Sequence, residues 1–126
     1  MGLRLTLEND ASIPDEEPLY RGIHPHFVNA GAVSSAAFIS RPDPHISVDR
    51  SSLSSPEATL RRHAGYAGVA WVSAGSVRTV TVGVASDPLP QNPAHALIIR
   101  DPAMTHGMWK KVARTLAKAC TWVLGP

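Results

Sequence analysis

The chain reads as an α+β domain: a mostly antiparallel, curved sheet of six or seven short strands, a short middle helix and a long C-terminal helix. Three observations predict it. Short apolar runs recur, separated by Pro, Gly, Asn and Asp. A helix-start signature, Ser54-Ser55-Pro56-Glu57, interrupts them. The final segment then changes from strand period to helical period.

The elements follow in order. Leu3, Leu5 and Leu7 alternate with Arg4 and Thr6, the period of a half-buried strand. Residues 8 to 18 are acidic and broken by Pro14 and Pro18, which predicts a loop or a mobile arm and a first strand only weakly held; residues 1–18 are set apart from a single domain over 19–126. Leu19–Ile23 reads as a strand carrying Tyr20 and Arg21. His24-Pro25-His26 turns the chain, and Asn29-Ala30-Gly31 turns it again. Ala32–Ile39 is apolar with two serines and is expected to be extended, ending at Arg41-Pro42-Asp43-Pro44. Ile46–Arg50 is a short strand. Ser55, or Ser54 with Glu57, caps a helix expected to run to about Ala64, with Gly65 as its left-handed stop.

Gly68–Val72 is a further strand, and Ser73-Ala74-Gly75-Ser76 a turn or a short helical step. Val77–Ala85 gives the strongest strand pattern, with Val80, Val82 and Val84 on one face. The stretch from Asp87 to Pro93 holds three prolines and cannot be a central strand. Ala94–Arg100 is the next strand. From Ala103 onward a long helix is expected, with Trp109, Val112, Leu116, Ala119, Cys120 and Val123 as its apolar stripe. Lys110, Lys111, Arg114 and Lys118 fall on the other side.

At 126 residues the chain is one domain's length and can build a core without staples. The hydrophobic share of 44% and charged share of 17% exclude wholesale disorder. A single cysteine, Cys120, forms no disulfide framework, and its place on the apolar stripe makes it an inert small hydrophobe. No signal-peptide pattern and no run of roughly twenty apolar residues is present, which points to a cytoplasmic protein that does not engage a membrane. The net charge is +2, but residues 18 onward carry eleven Lys and Arg against five Asp and Glu. Such a body invites an acidic protein surface or a nucleic acid, with the C-terminal basic face as its contact.

Two polar constellations are candidate sites. Arg21, Ser34, Ser35, Arg50 and His95, with Ser47, recur on or beside apolar segments, where a polar side chain needs a partner or a cleft. Arginine forks onto phosphate or carboxylate, serine completes an anion's hydrogen bonds, and histidine serves as acid or base. These residues would take a phosphate-bearing small molecule. His24 and His26 have the spacing of two ligands on one segment, with His45, Asp43 or His95 to complete a metal sphere. Two loop histidines in a simple turn explain the same spacing, so no metal and no cofactor are expected. Glycine-rich phosphate loops, nucleophile elbows and zinc-finger spacings are missing from the chain.

The strings Leu19-Tyr20-Arg21, Ser34-Ser35-Ala36-Ala37-Phe38, Ile46-Ser47-Val48-Asp49-Arg50, Asp87-Pro88 and Pro93-Ala94-His95-Ala96 resemble a group of short bacterial proteins of unknown function. The resemblance implies a bacterial or phage origin and no particular activity. A weaker likeness, through Leu19-Tyr20-Arg21-Gly22 and Ser34-Ser35, is to ADP-ribosyl-transfer domains. That family's catalytic glutamate has no counterpart on a later strand, because the only glutamate after residue 17 is Glu57. The leading expectation is a non-catalytic accessory module, of the antitoxin or immunity type of a bacterial conflict system. The alternatives are a small nucleotide- or phosphate-processing enzyme with an Arg/Ser/His cleft, and a nucleic-acid binder acting through the basic helix.

Overall fold

The computed structural model describes residues 7–40 and 43–126. The strand expected over Leu3–Leu7 lies outside the described residues, apart from Leu7 itself. The elements are β1 (Pro18–Ile23), β2 (Val28–Asn29), β3 (Ala32–Val33), β4 (Ile46–Arg50), α1 (Pro56–Leu60), β5 (Gly68–Ser73), α2 (Ala74–Val80), β6 (Gly83–Ser86), β7 (His95–Ile99), α3 (His106–Ala119) and β8 (Thr121–Leu124). Two 3₁₀ turns, Pro25–Phe27 and Ser35–Phe38, complete them. The α+β class holds: six strands form one antiparallel sheet in the order β6-β7-β4-β1-β5-β8, and β2 pairs with β3 beside it.

Alternation along the strands gives the sheet two faces. Leu19, Ile23, Ile46, Val48, Ala70, Val72, Ala96 and Ile98 point to one face and are buried. Trp109, Ala113 and Leu116 of α3, Ala74 and Val77 of α2, and Ala37 and Phe38 of the second 3₁₀ turn close over them. Trp109 is fully buried, and its Nε1 donates to the Phe38 carbonyl at 2.8 Å, so the largest core side chain leaves no polar atom stranded. The other face carries Tyr20, Ser47, Asp49 and His95, and α1 packs against it.

Four expectations are corrected. Val77–Ala85 is not one strand. Ser73 caps α2 by accepting from Ser76 N, and Ala74 and Val77 then meet the core at helical spacing. Gly83, at φ 144°, breaks the apparent Val80/Val82/Val84 alternation, and Val82 is exposed. Ala32–Ile39 is not one strand either, because the Ser34 hydroxyl accepts from Ala36 N and starts the second 3₁₀ turn. The middle helix begins where expected, on the Ser55 cap, but ends at Leu60, and Gly65 is not left-handed. The C-terminal helix starts after the Thr105 cap and stops at Ala119, where Cys120 turns extended; Thr121-Trp122-Val123, two β-branched residues and an aromatic, then lead the chain into the sheet as β8. The domain therefore does not finish in its basic helix, and Val123 lies on a strand.

The acidic arm is held. Asn9 Oδ1 accepts from Arg78 Nε and Val84 N, and Asp10 N donates to the Val84 carbonyl at 2.7 Å. Arg78 also pairs with Asp15, and Ile13 is fully buried in the core. Residues 9 to 17 thus belong to the domain that follows them.

Candidate functional site

The site grows from a fault in the sheet. β1 and β4 pair over only two positions, Leu19↔Arg50 and Tyr20↔Asp49, and then part. The Ser47 carbonyl, left without a strand partner on that side, accepts from Arg21 Nη1 at 2.7 Å. Arg21 Nε donates to the Ala37 carbonyl at 3.0 Å. The gap is a cavity of about 110 Å³, walled by Tyr20, Arg21 and Gly22 on one side and Ser47, Val48 and Asp49 on the other. Thr59, Arg62, Tyr66 and Asn92 close it.

Asp49 anchors the far wall. Its buried carboxylate accepts from Thr59 Oγ1 at 2.7 Å, Arg62 Nε at 3.2 Å and Asn92 Nδ2 at 2.8 Å. Arg62 Nη2 also donates to Asn92 Oδ1 at 2.7 Å. Helix α1, strand β4 and the proline-rich loop are thereby tied together at one point.

Ser47 lies on the exposed side of β4, with His95 on the neighbouring β7. His95 Nε2 is 3.1 Å from Ser47 Oγ. Its Nδ1 is 3.0 Å from both the carbonyl oxygen and the Oδ2 of Asp87. Two acceptors at Nδ1 require the ring to carry its proton there. The neutral ring then presents Nε2 as an acceptor to the Ser47 hydroxyl. His95 and Asp87 are mostly covered, with 14% and 15% of their side chains exposed, whereas Ser47 is open.

The residues read from sequence divide. Arg21, which starts from the core face of β1 with Leu19 and Ile23, reaches the backbone carbonyl of Ser47, whereas His95 meets the Ser47 hydroxyl on the opposite face. Ser34 is spent capping the second 3₁₀ turn, and Ser35 lies in that turn. Arg50, on the core face, forks onto Glu17 at 3.1 and 3.0 Å. Convergence of the full set of Arg21, Ser34, Ser35, Arg50 and His95 is therefore corrected: only His95 meets the Ser47 side chain, and Arg21 is bound to the backbone of the same residue. Asp87 was legible only as part of a loop; the alternation of Ile46–Arg50 does put Ser47 and Asp49 on one face, opposite Ile46, Val48 and Arg50, but nothing in it marks Asp49 as an anchor.

His24 and His26 flank the first 3₁₀ turn, their rings stacked at 4.6 Å. Their proposed co-ligands are engaged elsewhere: Asp43 accepts from His45 N, His45 Nδ1 accepts from Arg100 N, and His95 bridges Asp87 and Ser47. Among the described residues no group of three or more His, Cys, Asp and Glu is arranged to hold a metal. Burial pushes the Cys120 thiol up to about 11, so it is protonated and unreactive at neutral pH. No described helix is long and apolar enough to cross a membrane.

No family model matches the chain, and no curated protein or solved structure is significantly similar to it. The geometry itself defines an α+β domain with an Asp–His–Ser chain whose serine lines a small cavity.

Proposed function

We propose that the protein is a small serine-dependent hydrolase, with Ser47 as nucleophile, His95 as general base and Asp87 as the residue that orients the imidazole. The carrying observation is the unbroken chain from Asp87 through His95 to an exposed serine hydroxyl, in the one tautomer that lets the ring accept the hydroxyl proton. The arrangement is recognised by geometry and role, not by the order of its residues in the chain. Ser47 Oγ attacks an ester carbonyl carbon as its proton passes to His95 Nε2. The leaving alkoxide departs with that proton, and the acyl group stays on Ser47. Water then attacks the acyl-serine and gives a proton to His95 Nε2; the Oγ–acyl bond breaks, the carboxylic acid leaves, and His95 returns the proton to Ser47 Oγ. In the cavity wall Arg62 is matched by the Asp49 carboxylate, so the charge left unpaired there is that of Arg21.

An organofluorophosphonate should label Ser47, and the protein should hydrolyse p-nitrophenyl acetate. Ser47→Ala should abolish both, and His95→Ala should slow turnover by roughly 10²–10⁴-fold. An unlabelled Ser47, with ester hydrolysis the same in Ser47→Ala, would sink the reading.

One further observation favours a second role. Lys110, Lys111, Arg114 and Lys118 of α3 are all exposed, and that helix carries no acid. The acids of the arm do not cover them: Asp10, Asp15 and Glu17 bond to Ser86, Arg78 and Arg50 instead. This face would contact an acidic partner, and an accessory or immunity-type role would rest on it. Heparin or duplex DNA should bind with steep salt dependence, and Lys111→Glu with Arg114→Glu should remove the binding.

A further inference from the structure

A second cavity, of about 390 Å³, adjoins the first across Gly22 and Tyr66. Ligand pockets begin at roughly this size. Its walls are mostly rings: His24, His26, Phe27, His63 and Tyr66. His24 meets Phe27 edge-on at 6.2 Å and His63 at 6.4 Å, and His63 lies 5.3 Å from Tyr66. Gly22 makes this possible, because a Cβ there would overlap the Tyr66 ring.

Arg21 lines both cavities. Two of its nitrogens, Nε and Nη1, donate to carbonyl oxygens. Nη2 has no hydrogen-bond partner among the described residues, and no fully buried side-chain nitrogen or oxygen there is left unbonded, so Nη2 keeps some access to solvent space in a residue that lines both cavities. Burial withdraws the guanidinium from water and lowers its pKa. No carboxylate of the described residues pairs with it, and carbonyls do not neutralise charge. A cation so placed gains most from an incoming anion.

We propose that Arg21 and the ring-lined cavity form a subsite for a planar ring bearing an oxyanion, either carboxylate or phosphate. The anion lies against Nη2, and the ring packs among His24, His63 and Tyr66. As a statement about substrate this rests on the hydrolase reading: the preferred ester carries a ring and a negative charge beside the bond that Ser47 cleaves.

Binding is measured by calorimetry on Ser47→Ala, where no turnover intervenes. Phenyl phosphate and benzoate are compared with phenol and inorganic phosphate. At least one anionic ring compound should bind, with phenol and phosphate each weaker by roughly tenfold or more; which anion binds identifies the oxyanion. Arg21→Gln should weaken binding by a similar factor. Because Arg21 also ties Ala37 to Ser47, that variant can lose the fold. His63→Ala, at an exposed position, then serves: it should reduce the preference for phenyl phosphate over inorganic phosphate with an unchanged melting temperature. Equal binding of phenol and phenyl phosphate, or no binding of either anion at millimolar concentration, overturns the subsite. Labelled Ser47 without probe binding would remove the subsite and keep the hydrolase; probe binding without labelling would do the reverse.

Discussion

Glu17 shows how much one buried side chain can hold. Its carboxylate takes both prongs of Arg50 and the hydroxyl and N–H of Ser52, fastening the end of the arm to the end of β4. Burial pushes its pKa up, but the hydrogen bonds from Arg50 and Ser52 more than offset this and leave it below the ordinary 4.5. A carboxylate depressed in the fold stabilises it fully above the unfolded value, and that contribution disappears as pH falls through the lower, folded value. Melting temperature should therefore fall on acidification, and Glu17→Gln should show a flatter profile over roughly pH 6 to 3. At neutral pH the same variant should lose about 2–4 kcal/mol in urea unfolding, since Arg50 would be left buried without its anion. An unchanged midpoint would mean that the pair contributes nothing net.

At the scale of elements, the helix signals were dependable and the strongest strand pattern was not. Ser55 with Pro56 placed the start of α1, and the apolar spacing of Trp109, Val112 and Leu116 placed the body of α3. The failures share a cause. Val77–Ala85 and Ala32–Ile39 are rich in β-branched or small apolar residues, and in each case a serine, Ser73 four residues before the first stretch and Ser34 inside the second, captures a backbone N–H and starts a helical turn. Strand propensity then loses to a cap. The site was half legible for a related reason. Arg21, Ser47 and His95 stood out as polar residues in apolar strands, whereas Asp87 reaches His95 only because the loop folds back at the Leu89↔Asn92 bridge. The exposed face of α3 makes a clean test at this scale. Lys111→Glu with Arg114→Glu touches no core residue and no described partner, so unfolding should shift by no more than about 0.5 kcal/mol while any anion binding is lost. A large loss of stability would show that the face is structural.

For the whole molecule, the sheet can be seen as two three-stranded halves, β6-β7-β4 and β1-β5-β8, stitched together at one end. Stitches at Leu19↔Arg50 and Tyr20↔Asp49 are reinforced by Glu17, and across the open end Arg21 reaches the Ser47 carbonyl. Hinge-like freedom belongs at such a seam, where few hydrogen bonds resist local opening. Deuterium uptake should be fastest, within the sheet, at amides of Arg21–Ile23 and Ile46–Val48 that face the gap, and slowest in the middle of the β1–β5 ladder. Filling the gap with an anion against Arg21 should slow the first group and leave the second unchanged. Uniform uptake across both halves would show the seam to be as rigid as the ladders on either side. A zip fastener closed at one end is the mechanical picture: the molecule can widen its mouth without unpicking its core, and the cleft need not be large at rest to admit what it binds.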